Sequence, residues 1–119
     1  MPAPLVSVVM PARNAAAFLR EAIDSILTQT WRELELIVVD DGSTDDTRAI
    51  AEELGAADGR LRVISPGGSQ NAKSGLVAAL NRGFSEARGD LVARMDADDL
   101  AYPDRIAQQV AYLDRKSVV

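Results

Sequence analysis

The sequence predicts an α/β fold in which a mostly parallel sheet is covered by helices on both faces. Two observations predict it. Apolar runs alternate with stretches of helical periodicity along the chain, and two of those runs end directly in acidic clusters. Continuous apolar runs rich in β-branched residues are typical of parallel strands buried on both faces. Their alternation with helical segments indicates the order βαβαβαβα.

The first strand–helix unit lies at the start of the chain. Residues 5–10 form an apolar run that predicts a strand, and Pro11 is expected to end it because proline cannot donate to a strand ladder. Asn14 is a favourable N-cap for a helix over about residues 15–29. The apolar side chains of that helix recur at helical spacing and predict one buried stripe: Phe18, Leu19, Ala22, Ile23, Ile26 and Leu27.

The second unit begins with an apolar run at residues 34–39, which predicts a strand. Ser43 or Thr44 is suited to cap the helix that follows. That helix is expected to run to about Leu54. Gly55 is then expected to supply the left-handed residue that often ends a helix.

Two more units complete the chain. Residues 61–64 predict a short third strand, and a third helix is expected from about residue 74 to residue 88, ended by Gly89. Residues 91–95 predict the fourth strand. Pro103 suits the first turn of a last helix, where a missing N–H costs nothing.

The composition is that of one globular domain without a membrane span. The chain has 119 residues, 47% of them hydrophobic and 26% charged, and no apolar run approaches the length of about 18 residues that a membrane helix needs. A net charge of −5 argues against nucleic acid as a partner. Cysteine and histidine are absent, which excludes disulfides, thiolate sites and imidazole chemistry and fits a cytoplasmic protein.

Acidic side chains follow two of the predicted strands. One cluster, after the second strand, contains Asp40 and Asp41, and the other, after the fourth, contains Asp96, Asp98 and Asp99. Parallel strands deliver such residues to the carboxyl edge of the sheet, where α/β proteins bind ligands. We expect the two strands to be adjacent and their carboxylates to hold a divalent metal, with a phosphate-bearing substrate behind it. The alternative is that these aspartates only form turns and helix caps.

Other polar residues near the same edge have both structural and binding interpretations. A strand-end Asp40 or Asp41 suits a ribose hydroxyl or a base N–H, but Asp-Gly turns are also common. Arg13 is either a phosphate-neutralising residue or an exposed arginine, and Lys73 is a second phosphate candidate. The sequence contains neither a P-loop nor a Gly-x-Gly-x-x-Gly dinucleotide fingerprint.

Several ordered motifs run through the chain. The three longest are Val6-Ser7-Val8-Val9-Met10-Pro11-Ala12-Arg13-Asn14, Val38-Val39-Asp40-Asp41-Gly42-Ser43-Thr44-Asp45 and Met95-Asp96-Ala97-Asp98-Asp99. Two shorter ones are Ser25-Ile26-Leu27-Thr28-Gln29-Thr30 and Pro103-Asp104-Arg105. In this order they resemble the motifs of family 2 glycosyltransferases of the GT-A fold. The resemblance covers nearly the whole chain and implies a Rossmann-like GT-A nucleotide-binding half.

The resemblance implies roles for five residues. Pro11 lies against the nucleobase, Asp41 contacts that base, and Arg13 is counted with the nucleotide-binding residues. Asp96 approaches the ribose, and Asp98 binds Mn²⁺ or Mg²⁺ under the diphosphate. The implied donor is a nucleotide sugar, with a UDP-sugar favoured. Transfer in this family is inverting, here to a hydroxyl of a saccharide or lipid-linked acceptor, as in cell-wall or polysaccharide biosynthesis.

The chain departs from the family pattern at two positions. Many relatives have an aromatic residue in place of Arg13, so packing against the base or ribose is expected to differ. Many also have a basic residue before the asparagine of the third helix, where this chain has Leu80 before Asn81. Lys73 or Arg82 is then left to supply a phosphate-facing charge.

The general base of the family is an acid that deprotonates the acceptor. It has no convincing counterpart between Leu100 and Val119, where Asp104 and Asp114 lie in or near the last helix. No catalytic residue is therefore identified, and the base is expected beyond Val119. We expect residues 1–119 to be the donor-binding portion of a longer enzyme, inactive in transfer alone. Membrane association is expected only through segments outside the chain, and uncovered apolar surface is expected to favour self-association.

Two other classes of protein also have clustered acidic residues at the edge of a parallel sheet. A receiver-type signalling module needs its acid pair after the first strand, where this chain has Pro11, Ala12 and Arg13. An aspartate-nucleophile phosphatase usually continues its Asp-x-Asp into Gly-Thr, where this chain has Asp99 and Leu100. Both alternatives fit the sequence less well than donor binding.

Overall fold

A computed structural model describes residues 3–65 and 75–117, with side chains described as far as residue 113. Strands and helices alternate through it as the sequence predicts. The elements are β1 (Val6–Ala12), α1 (Ala16–Leu27), β2 (Leu34–Asp40), α2 (Thr47–Ala57), β3 (Leu61–Ile64), α3 (Leu76–Glu86), β4 (Leu91–Arg94) and α4 (Arg105–Ser117). Within these residues, no helix has the length and apolar character needed to cross a membrane.

The four strands form one parallel sheet in the order β3-β2-β1-β4. The chain moves outward from β1 to β3 and then returns to place β4 on the other side of β1. The expectation that the two acid-bearing strands are adjacent is therefore wrong, because β1 lies between β2 and β4. Such a reversal of strand order opens a crevice at the carboxyl edge of the sheet.

Helices cover both faces of the sheet, as predicted. On one face, even-numbered β1 residues such as Val8 and Met10 pack in a core with the buried stripe of α1, which consists of Leu19, Ala22, Ile23 and Ile26. The prediction that Phe18 belongs to this stripe is wrong, because its side chain is exposed. That core also includes Ala51 of α2 and Ile106 of α4. On the other face, Val9 packs with residues of β2 and with α3. This alternation explains why β1 and β2 read as unbroken apolar runs.

Proline does not end the first strand. β1 continues through Pro11, which pairs in register with Val39. The carbonyl of Val9 accepts a hydrogen bond from the N–H of Met95, on the β4 side. Two residues later, the nitrogen of Pro11 points in the same direction, past the end of β4 at Arg94. No ladder hydrogen bond is lost there, so the strand tolerates the proline.

Two predicted helix boundaries are wrong for the same reason. α1 begins at Ala16 and is not capped by Asn14, and α2 begins at Thr47 and is not capped by Ser43 or Thr44. Each of these polar side chains instead bonds to the neighbouring loop, as described below. Sequence alone does not show which loops will be neighbours.

Gly55 and Gly89 both lie where two elements approach each other closely, and neither residue ends a helix. Gly55 lies inside α2 and has no positive φ, and a Cβ there would lie 2.8 Å from the side chain of Leu61. Gly89 follows α3, and a Cβ there would lie 2.6 Å from the hydroxyl of Ser7. The predicted left-handed role of Gly55 is therefore wrong. Both glycines permit close approach to the sheet.

A buried polar network lies on the α3 face of the sheet. Ser7 is fully buried, donates to Glu35 Oε2 at 2.5 Å and accepts the N–H of Gly89 at 2.7 Å. Glu35 Oε2 also accepts the N–H of Arg88 at 2.7 Å, and Oε1 lies 3.3 Å from Arg62 Nη2. Burial raises the pKa of Glu35, but the bonds from Ser7, Arg88 and Arg62 together outweigh it and lower the pKa. The network fastens the α3–β4 connection to β1 and β2.

Replacing Glu35 with Gln is expected to weaken the fold in a pH-dependent way. The folded-state pKa lies below the ordinary value of 4.5, so the carboxylate stabilises the fold above that pH and ceases to do so as the pH falls below it. Glu35→Gln should therefore cost about 2 kcal/mol at pH 7. The difference in free energy of unfolding between the variant and wild type, measured by urea unfolding, should narrow as the pH falls below 4.5.

The matched control is Glu53→Gln. Glu53 pairs with Arg20 at 2.8 Å, but its side chain is 65% exposed. We expect a change below about 0.5 kcal/mol with little dependence on pH, since exposed ion pairs contribute little. If the difference in free energy of unfolding between wild type and Glu35→Gln stays constant from pH 7 to below pH 4.5, the stabilising role of the Glu35 carboxylate is contradicted.

Candidate functional site

Three loops meet at the carboxyl edge of the sheet. They follow β1, β2 and β4, and they contain four of the five residues predicted to bind the donor: Arg13, Asp41, Asp96 and Asp98. The fifth, Pro11, is the penultimate residue of β1. Because β1 lies between the acid-bearing strands, its loop separates the two acidic clusters. The site therefore has a central wall from the β1 loop and an acidic cluster on each side.

Two clefts open on either side of this wall. The β4-side cleft, of about 280 Å³, is lined by Pro11, Arg13, Asn14, Ala15, Phe18, Asp96, Ala97 and Asp98. The β2-side cleft, of about 250 Å³, is lined by Pro11, Ala12, Arg13, Asp41, Gly75 and Leu76. Pro11 and Arg13 line both. The structure thus brings all five predicted residues to two neighbouring clefts.

The paired acids after β2 have different surroundings. Asp40 Oδ1 accepts the N–H of Ser43 at 3.2 Å, and Oδ2 lies 3.9 Å from Arg48. Asp41 is 5% exposed, and its Oδ1 accepts the N–H of Gly75 at 3.0 Å. Asp41 lines the β2-side cleft, whereas Asp40 stabilises its own loop. The residue pattern left the choice between these two acids open, and of the two it is Asp41 that lines a cleft.

Asn14 joins the loops after β1 and β2. It has a left-handed backbone, with a φ of 49°. Its N–H donates to Ser43 Oγ at 3.0 Å, and its Oδ1 accepts the N–H of Thr44 at 2.8 Å. Asn14 therefore holds the central wall against the β2 loop.

The start of α1 is satisfied by the same loop. The N–H of Ala15 donates to Thr47 Oγ1 at 2.8 Å, and the N–H of Ala16 donates to Asp45 Oδ2 at 3.2 Å. Asp45 also accepts hydrogen bonds from the hydroxyl and the N–H of Thr47, which lower the pKa of Asp45. The Ser/Thr/Asp run after β2 thus caps the helix that follows β1. Sequence reasoning missed this because it looked for caps on the next helix along the chain.

The loop after β4 carries a compact acidic group, defined by Asp96, Asp98 and Asp99. One carboxylate oxygen from each lies within 4.8 Å of the others. The oxygens bound to one octahedral Mg²⁺-type ion are about 3–4 Å apart, so small movements would bring this group to a common ion. The donor set consists of hard oxygens, which Mg²⁺ and Mn²⁺ prefer. The residues therefore fit a divalent metal.

Arg94 and Arg82 both form ion pairs with nearby acidic residues. Arg94 Nη2 lies 3.2 Å from Asp96 Oδ1, an ion pair that sequence reasoning missed although the two residues are only two apart. Arg82 pairs with Glu86 at 2.8 Å and lines neither cleft. It is therefore not placed to supply the phosphate-facing charge considered for it. Lys73 lies outside the described residues.

Comparison with known proteins identifies the family. The sequence profile of glycosyl transferase family 2 matches residues 7–119. The chain belongs to glycosyl transferase family 2. A curated relative, an uncharacterised glycosyltransferase of Haemophilus influenzae, is 43% identical over 112 residues, covering 94% of this chain and 33% of the relative. Membership confirms the resemblance seen in the motifs, and no observation favours the receiver or phosphatase alternatives.

Solved structures of glycosyltransferases share the fold. The mannosyltransferase PcManGT of Pyrobaculum calidifontis, in complex with GDP-Man and Mn²⁺, aligns with a TM-score of 0.79 and 31% identity, covering 92% of this chain and 32% of that one. Glucosyl-3-phosphoglycerate synthase of Mycobacterium tuberculosis, with Mn²⁺, UDP and phosphoglyceric acid, aligns with a TM-score of 0.76 and 33% identity, covering 92% and 39%. The predicted GT-A fold is confirmed. The family 2 chain described here spans about a third of the length of these proteins.

Because Asn14 joins two loops and also has a positive φ, we expect its alanine variant to be less stable than its glycine variant. Asn14→Ala removes the acceptor for Thr44 and leaves an alanine at positive φ, so we expect a loss of about 2 kcal/mol. Asn14→Gly removes the same acceptor but relieves the backbone strain, and it should cost about 1 kcal/mol less. Urea unfolding measures both.

Asn81→Ala serves as the control, because Asn81 is exposed on α3. We expect it to be neutral within about 0.5 kcal/mol. Equal destabilisation by the alanine and glycine variants of Asn14 would show that the left-handed backbone plays no part.

Proposed function

We propose that this chain is the donor-binding portion of an inverting glycosyltransferase that binds a nucleotide-diphosphate sugar together with a divalent metal. The observation that carries the proposal is the convergence of Pro11, Arg13, Asp41, Asp96 and Asp98 on two clefts that share one wall. Family membership and two structural neighbours bound to nucleotides support it. The acidic character of the clefts is suited to a ligand that arrives with a cation.

The nucleobase is assigned to the β2-side cleft. Pro11 and Leu76 are apolar lining residues on which a flat base can pack. The carboxylate of Asp41 is a hydrogen-bond acceptor only, so it suits a base N–H. The bond from Gly75 to Oδ1 holds that carboxylate in place. We assign Asp41 to recognition of the base, with uridine as the favoured nucleoside.

The ribose and diphosphate are assigned to the β4-side cleft. Asp96 is placed at the ribose, and Asp98, more exposed, is placed at the metal. Mn²⁺ or Mg²⁺, when bound, supplies Lewis-acid stabilisation of the leaving nucleoside diphosphate. Arg13 lines this cleft too, and its guanidinium is available to a phosphate oxygen. The complexes of both neighbours with Mn²⁺ support a divalent metal.

Acceptor activation is assigned to residues outside this chain. In the described part of the chain, the carboxylates lining the two clefts are those of Asp41, Asp96 and Asp98, all given to the donor. Asp104 is exposed and accepts a hydrogen bond from Gln108 at 2.8 Å, away from both clefts. Because the chain spans about a third of the length of its relatives, we assign the general base and the binding of the acceptor, a saccharide or lipid-linked hydroxyl, to residues outside it.

The metal assignment predicts that Asp98→Asn loses metal-dependent nucleotide binding. The variant removes one negative ligand, and we expect the affinity for UDP in the presence of Mn²⁺ to fall at least about tenfold. Isothermal titration of the 119-residue chain with UDP, with Mn²⁺ or with EDTA, measures it. Asp24→Asn, an exposed change on α1, should bind as wild type does. Failure of wild type to bind any nucleoside diphosphate with Mn²⁺ would refute the proposed function for this chain.

The base assignment predicts that two neighbouring acids behave differently. Asp41→Asn replaces a pure acceptor with an amide facing the base, and UMP affinity should fall about tenfold. Asp40→Asn weakens the contacts with Ser43 and Arg48, so it should lower the midpoint of urea unfolding but leave UMP affinity near wild type. Competition of UMP against a fluorescent uridine nucleotide measures the affinities. The opposite pattern would assign base recognition to Asp40.

A further inference from the structure

The segment directly after α1 contains a buried amide that donor binding does not use. Gln29 is 1% exposed. Its Nε2 donates to the carbonyl of Ser25 at 2.9 Å and to that of Tyr102 at 2.6 Å. Its Oε1 accepts the N–H of Ile106 at 3.0 Å. One side chain thus holds both the segment before α4 and the first turn of that helix.

Two neighbours of Gln29 hold the same segment. Ser25 Oγ accepts the N–H of Ala101 at 3.1 Å and donates to the carbonyl of Ala22 at 2.8 Å. The N–H of Thr30 donates to the carbonyl of Pro103 at 2.8 Å. Residues 101–106 are therefore tied to the end of α1 by four hydrogen bonds that span more than seventy residues of sequence.

The acidic group lies between this anchor and β1. On the other side of the group, the N–H of Met95 donates to the carbonyl of Val9 at 3.0 Å. Between the two anchors, Ala97 is buried, while Asp98, Asp99 and Leu100 are exposed. Among residues 96–100, Ala97 is the one that packs in the core, and the N–H of Asp99 donates to the carbonyl of Asp96 at 3.1 Å. Since these contacts are few, the anchors at each end contribute strongly to the position of the carboxylates.

We propose that Ser25 and Gln29 are positioning residues for the metal-binding carboxylates of the acidic group. The metal part of this inference rests on the proposed function. A metal site requires its ligands to be held within about 0.5 Å, and loss of groups that orient ligands typically weakens metal binding 10–100-fold. A buried amide with all three contacts made restrains its neighbours strongly, because any displacement leaves polar atoms unsatisfied.

Ser25→Ala tests the proposal against a closely matched control. In wild type, Ser25 Oγ accepts one backbone N–H, from Ala101, and donates to one acceptor. Ser7 Oγ does the same on the other face of the sheet, where it accepts the N–H of Gly89 and donates to Glu35. Ser7→Ala therefore removes one accepted and one donated bond outside the acidic loop. Because Ser7 is fully buried and donates to a carboxylate, this variant should destabilise the fold at least as much as Ser25→Ala. Gln29→Met, a change of similar length, is the stronger variant, and Ser25→Ala carries the test if that variant does not fold.

The first measurement is amide hydrogen exchange of the metal-free chain. Ser25→Ala should accelerate exchange at residues 96–101 at least about tenfold, and Ser7→Ala should leave that segment unchanged. The second is Mn²⁺ affinity in the presence of UDP, followed by electron paramagnetic resonance. Ser25→Ala should weaken it about tenfold, whereas Ser7→Ala, destabilised at least as much in urea, should bind as wild type does.

The outcomes separate this inference from the proposed function. Wild-type exchange at residues 96–101 in Ser25→Ala, or equal loss of Mn²⁺ affinity in both serine variants, would overturn the positioning role. If wild type binds no Mn²⁺ with UDP, the proposed function fails and the metal part of the inference fails with it. Accelerated exchange confined to Ser25→Ala and Gln29→Met would then still establish that the end of α1 anchors the acidic loop.

Discussion

The parallel pairing of β1 with both β2 and β4 is the constraint on which the rest of the structure depends. It buries β1 on two faces and two edges, and it places the loop after β1 between the two acidic clusters. Carboxylates that would repel one another in a single group are thereby divided between two clefts. Pro11 and Arg13 form the wall that both clefts share. A nucleotide, with a base at one end and a charged diphosphate at the other, matches this division.

The strands, and the position of the acidic residues at the carboxyl edge of the sheet, follow from local sequence, whereas several boundaries do not. A run of apolar residues that ends in Asp41 or in Asp96 predicts a buried strand and its edge, whatever its neighbours are. The role of Pro11 depends on where β4 stops, and that of Asn14 depends on which loop lies beside it. Likewise, Gly55 is read from sequence as a helix end because the closeness of β3 is invisible there. Local periodicity therefore predicts elements well, but contacts between elements decide caps, glycines and strand order.

Residues of the same type divide into ligand-facing and structural roles according to what surrounds them. Asp40 and Asp41 are consecutive and both buried, yet one stabilises its own turn and the other lines a cleft. Asp45 has the same side chain as both but caps a helix that begins 29 residues earlier in the chain. An acidic motif therefore indicates where the edge of the sheet lies. The hydrogen-bond partners of each aspartate then show whether that aspartate remains available to a ligand.

α1 links the two sides of the site through one rigid element. Its start is bound by Asp45 of the β2 loop and by Thr47, the first residue of α2. Its last turn, through Ser25, and the segment directly after it, through Gln29, hold residues 101–106 beyond the acidic group. Twelve residues of helix span about 18 Å, and the buried stripe that contains Ile23 fixes this helix against the sheet. A helix held in this way cannot shift at one end alone, because packed interiors do not deform continuously. The geometry of the β2 loop and that of the acidic loop are therefore set together, through packing that neither loop contains.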